Sequence, residues 1–137
     1  MKNPPRWFGN ETAFRNHVIG VLRREGAFAQ HVETSTGNGV PDLFIKNKLC
    51  PPRWLELKVV RPRDGQRVKV EAAQWLWMKH AAQCNVCCGI LAYVQELRAH
   101  AYLCVRHDTT FLEVKSLSSY GILKGDQRTL DTQLLFL

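Results

Sequence analysis

No run of apolar residues in this chain approaches the eighteen or more that a membrane span requires. The opening Met1-Lys2-Asn3-Pro4-Pro5 has no apolar core of the secretory-signal kind, so an intracellular, cytoplasmic protein is expected. No repeat or low-complexity tract is present. Cysteine is limited to five residues, an odd number that describes no closed disulfide framework, and in an intracellular setting they stay reduced. Acidic side chains are the minority, twelve against nineteen Lys and Arg, giving a formal charge of +7. That excess biases the protein toward polyanions, nucleic acid first among them, and specifies neither a sequence nor a reaction. The 137 residues, 45% hydrophobic, have room for one domain with one core.

What is present divides into alternating helical and extended patterns. Phe14, Val18, Val21 and Leu22 recur at helical spacing between a cap at Asn10 and a stop at Gly26, with Glu11 at the end of that apolar stripe. Residues 27–34 read as a strand, on which His31 and Glu33 share a face, leading into a Ser35-Thr36-Gly37-Asn38-Gly39 loop. Asp42 to Ile45 and Trp54 to Val59 read as two strands of an antiparallel hairpin, joined by the polar, proline-broken stretch Lys46 to Arg53. Residues 71–83 form a second helix, in which Trp75, Leu76, Trp77 and Met78 supply apolar surface to cover a sheet. Gly89 to Val94 and His100 to Arg106 follow as strands. The order predicts an α/β core, a mixed sheet flanked by helices.

The chemistry is concentrated in the hairpin. Side chains alternate along a strand, so Leu55, Leu57 and Val59 take one face while Glu56 and Lys58 share the other. Asp42 opens the partner strand and is expected to lie across from Glu56. Two converging carboxylates repel unless a cation sits between them, and hard oxygen ligands favour Mg²⁺ or Mn²⁺. Such an ion polarises a phosphate and acidifies a water, while Lys58 is placed to orient that water and offset developing negative charge. Asp42, Glu56 and Lys58 are therefore candidate catalytic residues for phosphodiester hydrolysis, Asp42 and Glu56 also as metal ligands. Arg61, Arg63, Arg67 and Lys69 follow the strand closely and are candidates to hold flanking DNA phosphates.

Pro41-Asp42 and Glu56-Leu57-Lys58 resemble the two signature elements of the PD-(D/E)XK nuclease superfamily. Within it the chain is most similar to the VRR-Nuc group and, more loosely, to archaeal-type Holliday junction resolvases: Glu11 opens a helix, Gly39-Val40-Pro41-Asp42 begins a strand, and Glu71-Ala72-Ala73-Gln74-Trp75-Leu76 begins a later helix. The resemblance covers about residues 8–95 of the single domain. It implies a restriction-endonuclease-like fold and a Mg²⁺-dependent, structure-selective endonuclease acting on DNA, branched DNA included, in recombination, repair or phage DNA processing in a bacterial or phage-infected cell. It further implies that Glu11 joins the metal site, that the Leu57 carbonyl is a further ligand, that Gln74 points toward the metal-bound water or scissile phosphate, and that the protein is a homodimer.

Two other readings share the composition. A basic domain that binds DNA without cutting is one. A zinc-stabilised interaction module is the other, because Cys84-x-x-Cys87 and Cys104-x-x-His107 have the spacing of a ligand set. Against zinc, Cys87 and Cys88 sit where the chain enters the core and Cys104 lies in a strand, where small buried thiols need no metal. The terminal Leu134-Leu135-Phe136-Leu137 is expected either to seal the core or to meet a second subunit.

Overall fold

The computed structural model describes residues 4–33 and 38–137. Thr34, at the end of the first expected strand, and the Ser35-Thr36-Gly37 part of the loop after it lie outside these residues.

The first helix, α1 (Glu11–Arg24), starts where the Asn10 side chain accepts a hydrogen bond from the Ala13 amide at 2.8 Å, satisfying one of the donors a helix start leaves open. It ends just before Gly26, whose φ of +83° suits a residue without Cβ. Phe14, Val18, Val21 and Leu22 are buried, as their spacing requires.

Six strands follow in one sheet whose spatial order is the chain order: β1 (Phe28–His31), β2 (Leu43–Lys46), β3 (Arg53–Val60), β4 (Cys87–Val94), β5 (Ala99–Val105) and β6 (Gly121–Leu123). Among the described residues only β3 and β4 are parallel neighbours, because α2 (Ala72–Gln83) carries the chain back between them. The β2–β3 pairing is antiparallel, with Leu43 opposite Leu55. The fold class is thus α/β, a mixed sheet flanked by helices.

Each face of the sheet carries its own apolar layer. Leu55, Leu57, Val59, Leu91 and Tyr93 pack under α1 with Phe8, Phe14 and Leu134. On the opposite face Val60, Ile90, Ala92 and Val94 pack with Trp75, Met78 and Ala81 of α2. Leu76, expected among the covering residues, turns outward and is 62% exposed.

Residues 108–137 add α3 (Phe111–Lys115), β6 and α4 (Gln127–Gln133). Short helices held by capping side chains carry little apolar periodicity, which is why they are hard to read. The terminal Leu134-Leu135-Phe136-Leu137 seals the core: Leu134 is buried, and Leu135 and Leu137 pack on the α1 layer, leaving only Phe136 outward. That stretch therefore offers no continuous surface for a second subunit. Among the described residues, no helix is long and apolar enough to cross a membrane.

Candidate active site

Alternation along β3 sends Glu56 and Lys58 to the α2 face, where both are buried, at 2% and 7% exposure. The β2–β3 register brings Asp42 level with Glu56. Two main-chain amides lock the pair: Leu57 N–H donates to Asp42 Oδ2 at 2.9 Å, and Asp42 N–H donates to Glu56 Oε1 at 3.2 Å. The convergence expected of the hairpin is present.

Gln74 completes the cluster. It stands at the third position of α2, where a side chain can reach back to cap the helix. Its Oε1 accepts from the Glu71 amide and from Lys58 Nζ, both at 3.0 Å, and its Nε2 donates to Glu56 Oε2 at 2.7 Å. The residue both caps the helix and orders the charged pair. Lys58 Nζ lies 3.7 Å from Glu56 Oε2, so the amide carbonyl, and not the carboxylate, is its nearest partner.

Gly39 sets the approach of the loop to this helix. With φ at +82°, a Cβ there would come within 2.3 Å of the Ala73 carbonyl oxygen, closer than van der Waals contact allows. Gly39, Lys58, Lys69, Glu71, Gln74 and Glu11 line a cleft of about 450 Å³.

Electrostatics mark Glu56 out. Burial, reinforced by the neighbouring Asp42 carboxylate, pushes its carboxyl up to about 9, and Lys58 offsets this only in part. At neutral pH a proton stands where a cation would otherwise balance the two acids. A strongly shifted group with a specific charge partner at a cleft is what catalytic sites display.

The donor set fits a hard divalent ion. Two carboxylates held together behind Lys58 and Gln74, which line the cleft, offer oxygens of the type Mg²⁺ or Mn²⁺ prefers. Mg²⁺ takes few protein ligands and keeps several waters, so a pair suffices. Glu11 is exposed on the first turn of α1 and, although it lines the cleft, makes no three-carboxylate group with Asp42 and Glu56. Its position at the end of the buried stripe is expected to turn it inward, but the side chain is exposed.

Among the described residues no group of three or more His, Cys, Asp or Glu side chains could hold a metal. Cys84, Cys87, Cys104 and His107 thus build no tetrahedral site. The thiols are less uniformly buried than expected: Cys88 is buried, Cys104 half-buried, Cys84 and Cys87 exposed. His31 lies 3.8 Å from Glu33 on β1, away from the cleft residues, and His17 is held by Asp131 at 2.8 Å.

The basic run divides. Lys69 lines the cleft, 3.4 Å from Asp64, and Arg67 and Lys69 share an adjoining cavity of about 560 Å³ with Lys115. Arg61 turns instead toward the Gly9 carbonyl at 3.5 Å, and Arg63 is exposed on the short 3₁₀ helix Pro62–Asp64. Lys115, far along the chain, carries no sequence signal linking it to this track.

No family model matches the chain, and no curated protein matches its sequence. Among solved structures it is similar to Hjc from Archaeoglobus fulgidus, a Holliday junction resolvase from an archaeal hyperthermophile. The two share 15% identity with a TM-score of 0.50, over 88% of this chain and 92% of that one. The likeness is one of fold: both are α/β, and here the mixed six-stranded sheet is centred on β3 and β4.

Proposed function

We propose that this protein is a divalent-metal-dependent endonuclease that hydrolyses phosphodiester bonds of branched DNA, of the PD-(D/E)XK type and within it closest to the VRR-Nuc group. The observation that carries the reading is the buried Glu56 carboxyl held against Asp42, with Lys58 and Gln74 fixed beside it at an open cleft. The place of Gln74 between Lys58 and Glu56 supports the VRR-Nuc assignment. The likeness in fold to a Holliday junction resolvase supports a junction-like substrate; a homodimer, in which two sites would address opposed strands, is proposed by family analogy alone.

Asp42 and Glu56 would hold Mg²⁺ or Mn²⁺, with the Leu57 carbonyl and, through water, Glu11. Bound there, the ion supplies Lewis acidity toward a phosphate oxygen and a water acidified for attack. Glu56 gives up its proton to take this role. Lys58 presents an ammonium to the attacking water and to the charge that grows on the phosphate oxygens. Gln74 keeps that ammonium from collapsing onto Glu56, since its carbonyl holds Nζ at 3.0 Å. Lys69 and Arg67, with Lys115 beyond them, would form a cationic track for flanking phosphates, and Arg61 and exposed Arg63 would be further phosphate contacts outside it.

A basic domain that bound DNA without cutting it would gain nothing from burying two acids side by side, which costs stability. A zinc-stabilised module finds no ligand group among the described residues. The test is incubation with plasmid, single-stranded and four-way-junction DNA, with and without Mg²⁺ or Mn²⁺, for wild type, Lys58→Ala and Asp42→Ala. Metal-dependent cleavage lost in both variants is the expected result. Cleavage that persists in both, or binding without cleavage, would defeat the proposal.

A further inference from the structure

The α2-side face of β1, β2 and β3 carries a row of rings that starts at the edge of the core, where Trp54 and Trp77 pack, and runs out to solvent. Side-chain alternation and register set Phe28, Phe44 and Trp54 side by side on it. Ring centroids run 6.2 Å from Phe28 to Phe44, 5.1 Å from Phe44 to Trp54, and 5.3 Å from Trp54 to Trp77 of α2. The row is open to solvent at its outer end, where Phe28 is 57% exposed. At its inner end a mainly apolar groove of about 670 Å³ is lined by Trp54, Trp77, Leu76 and Ala73.

Two observations decide what such a surface takes. First, it runs into the catalytic cleft. Trp54 precedes Glu56 by two residues on the same face of β3, about 7 Å along an extended strand, and Ala73 lines both the groove and the cleft. Second, polar groups are interleaved with the rings: Gln30 pairs with Phe44 across the strands, and Lys46, exposed, pairs with Phe28. A folded partner would want a closed apolar patch. A single nucleic-acid strand wants flat rings for its bases, cations for its phosphates, and an unbroken path to the reacting centre.

We infer that this aromatic row is a stacking platform for unpaired nucleobases, so that the preferred substrate has a single-stranded arm next to the scissile phosphate. The inference deepens the nuclease reading and rests on it for the identity of the cleft at the Glu56 end. Stacking is indifferent to base identity, because every base has a π face. The platform therefore selects strand structure and not sequence. Paired bases in an intact duplex are stacked on one another and cannot use it, whereas the arms of a fork or flap can.

Binding is measured by fluorescence anisotropy in EDTA, with a labelled forked duplex and a blunt duplex of the same length. Wild type is expected to bind the fork at least about tenfold more tightly, the scale of losing one to two stacked bases. Phe28→Ser, at a solvent-exposed position, and Phe44→Leu, which keeps apolar bulk without a π face, should each reduce that preference several-fold and leave the blunt duplex unchanged. Phe44→Trp should retain it. A preference that survives both ring removals overturns the inference. So does a wild-type dimer in sedimentation that Phe28→Ser splits, for then the row is a subunit contact. Fork preference without Mg²⁺-dependent cleavage would sink the nuclease reading alone, and cleavage with no fork preference would sink the platform alone.

Discussion

The two faces of β3 are built from one eight-residue strand yet obey different rules. On the α1 face Leu55, Leu57 and Val59 join a closed apolar layer that asks only for volume and shape. On the α2 face the same strand presents Trp54, Glu56 and Lys58, a half-buried ring followed by an acid and an ammonium taken out of water. The first face gains stability from burial. The second gives some back, since a carboxyl pushed up to about 9 by desolvation and by Asp42 is a group the fold tolerates for its chemistry.

That contrast can be broken by exchanging which property a substitution touches. Lys58→Ala should lower the cleavage rate by about a thousandfold, the scale seen when a transition-state charge partner is removed, with little loss of folded protein in urea denaturation. Leu57→Ala, one residue away, should do the reverse, costing about 2–5 kcal/mol of stability while the folded fraction keeps its turnover. If both variants lost activity and stability in equal measure, the division between the faces would not hold.

Gln74→Ala sharpens the comparison because its side chain serves structure and site together. Removing a group that orients other site residues is expected to cost about 10- to 100-fold in activity, and loss of the cap about 1 kcal/mol. Kinetics and thermal melting on the same preparation would show both effects.

Acidity provides a subtler probe. Glu56 ionises near 4.5 when unfolded and near 9 when folded, so its contribution is a raised acid: fully stabilising below pH 4.5, and lost as pH climbs through 9. Metal-free protein should lose stability from this group across that window. Glu56→Gln, which mimics the protonated form, should melt higher than wild type at pH 8 without metal while cleaving nothing. Mn²⁺ displaces the proton, so its upward shift of the melting temperature should be larger at pH 8.5 than at pH 6. Equal shifts at both would argue against a proton between Glu56 and Asp42.

The smallest effect is expected at Arg67. Arg67→Ala should weaken DNA binding a few-fold regardless of sequence and reduce the slope of log affinity against log salt by about one, as for loss of a single phosphate contact.

Much of this was legible from the residues because local rules agreed with one another. Period-two alternation placed Glu56 and Lys58 together, and the hairpin register carried Asp42 to them. The resemblance aimed Gln74 at the site, but its double duty as helix cap and partner of Glu56 was not visible, since a polar first-turn residue has the same signature whether it meets water or a buried carboxyl. Helical spacing set Glu11 at the end of the buried stripe but did not tell that it would line the cleft from an exposed position. Lys115 and the Phe28 to Trp77 row depend on contacts between distant segments, which no local pattern encodes.

The amide of Gln74 can be oriented only one way. Its oxygen serves two donors and its nitrogen one acceptor, so turning it over would set like groups against like on every side. Fraying of the first turn of α2 therefore releases Lys58 and Glu56 in the same event. The start of the helix works as a latch, and amide hydrogen exchange at this turn would follow the assembly of the cleft more directly than exchange anywhere in the sheet.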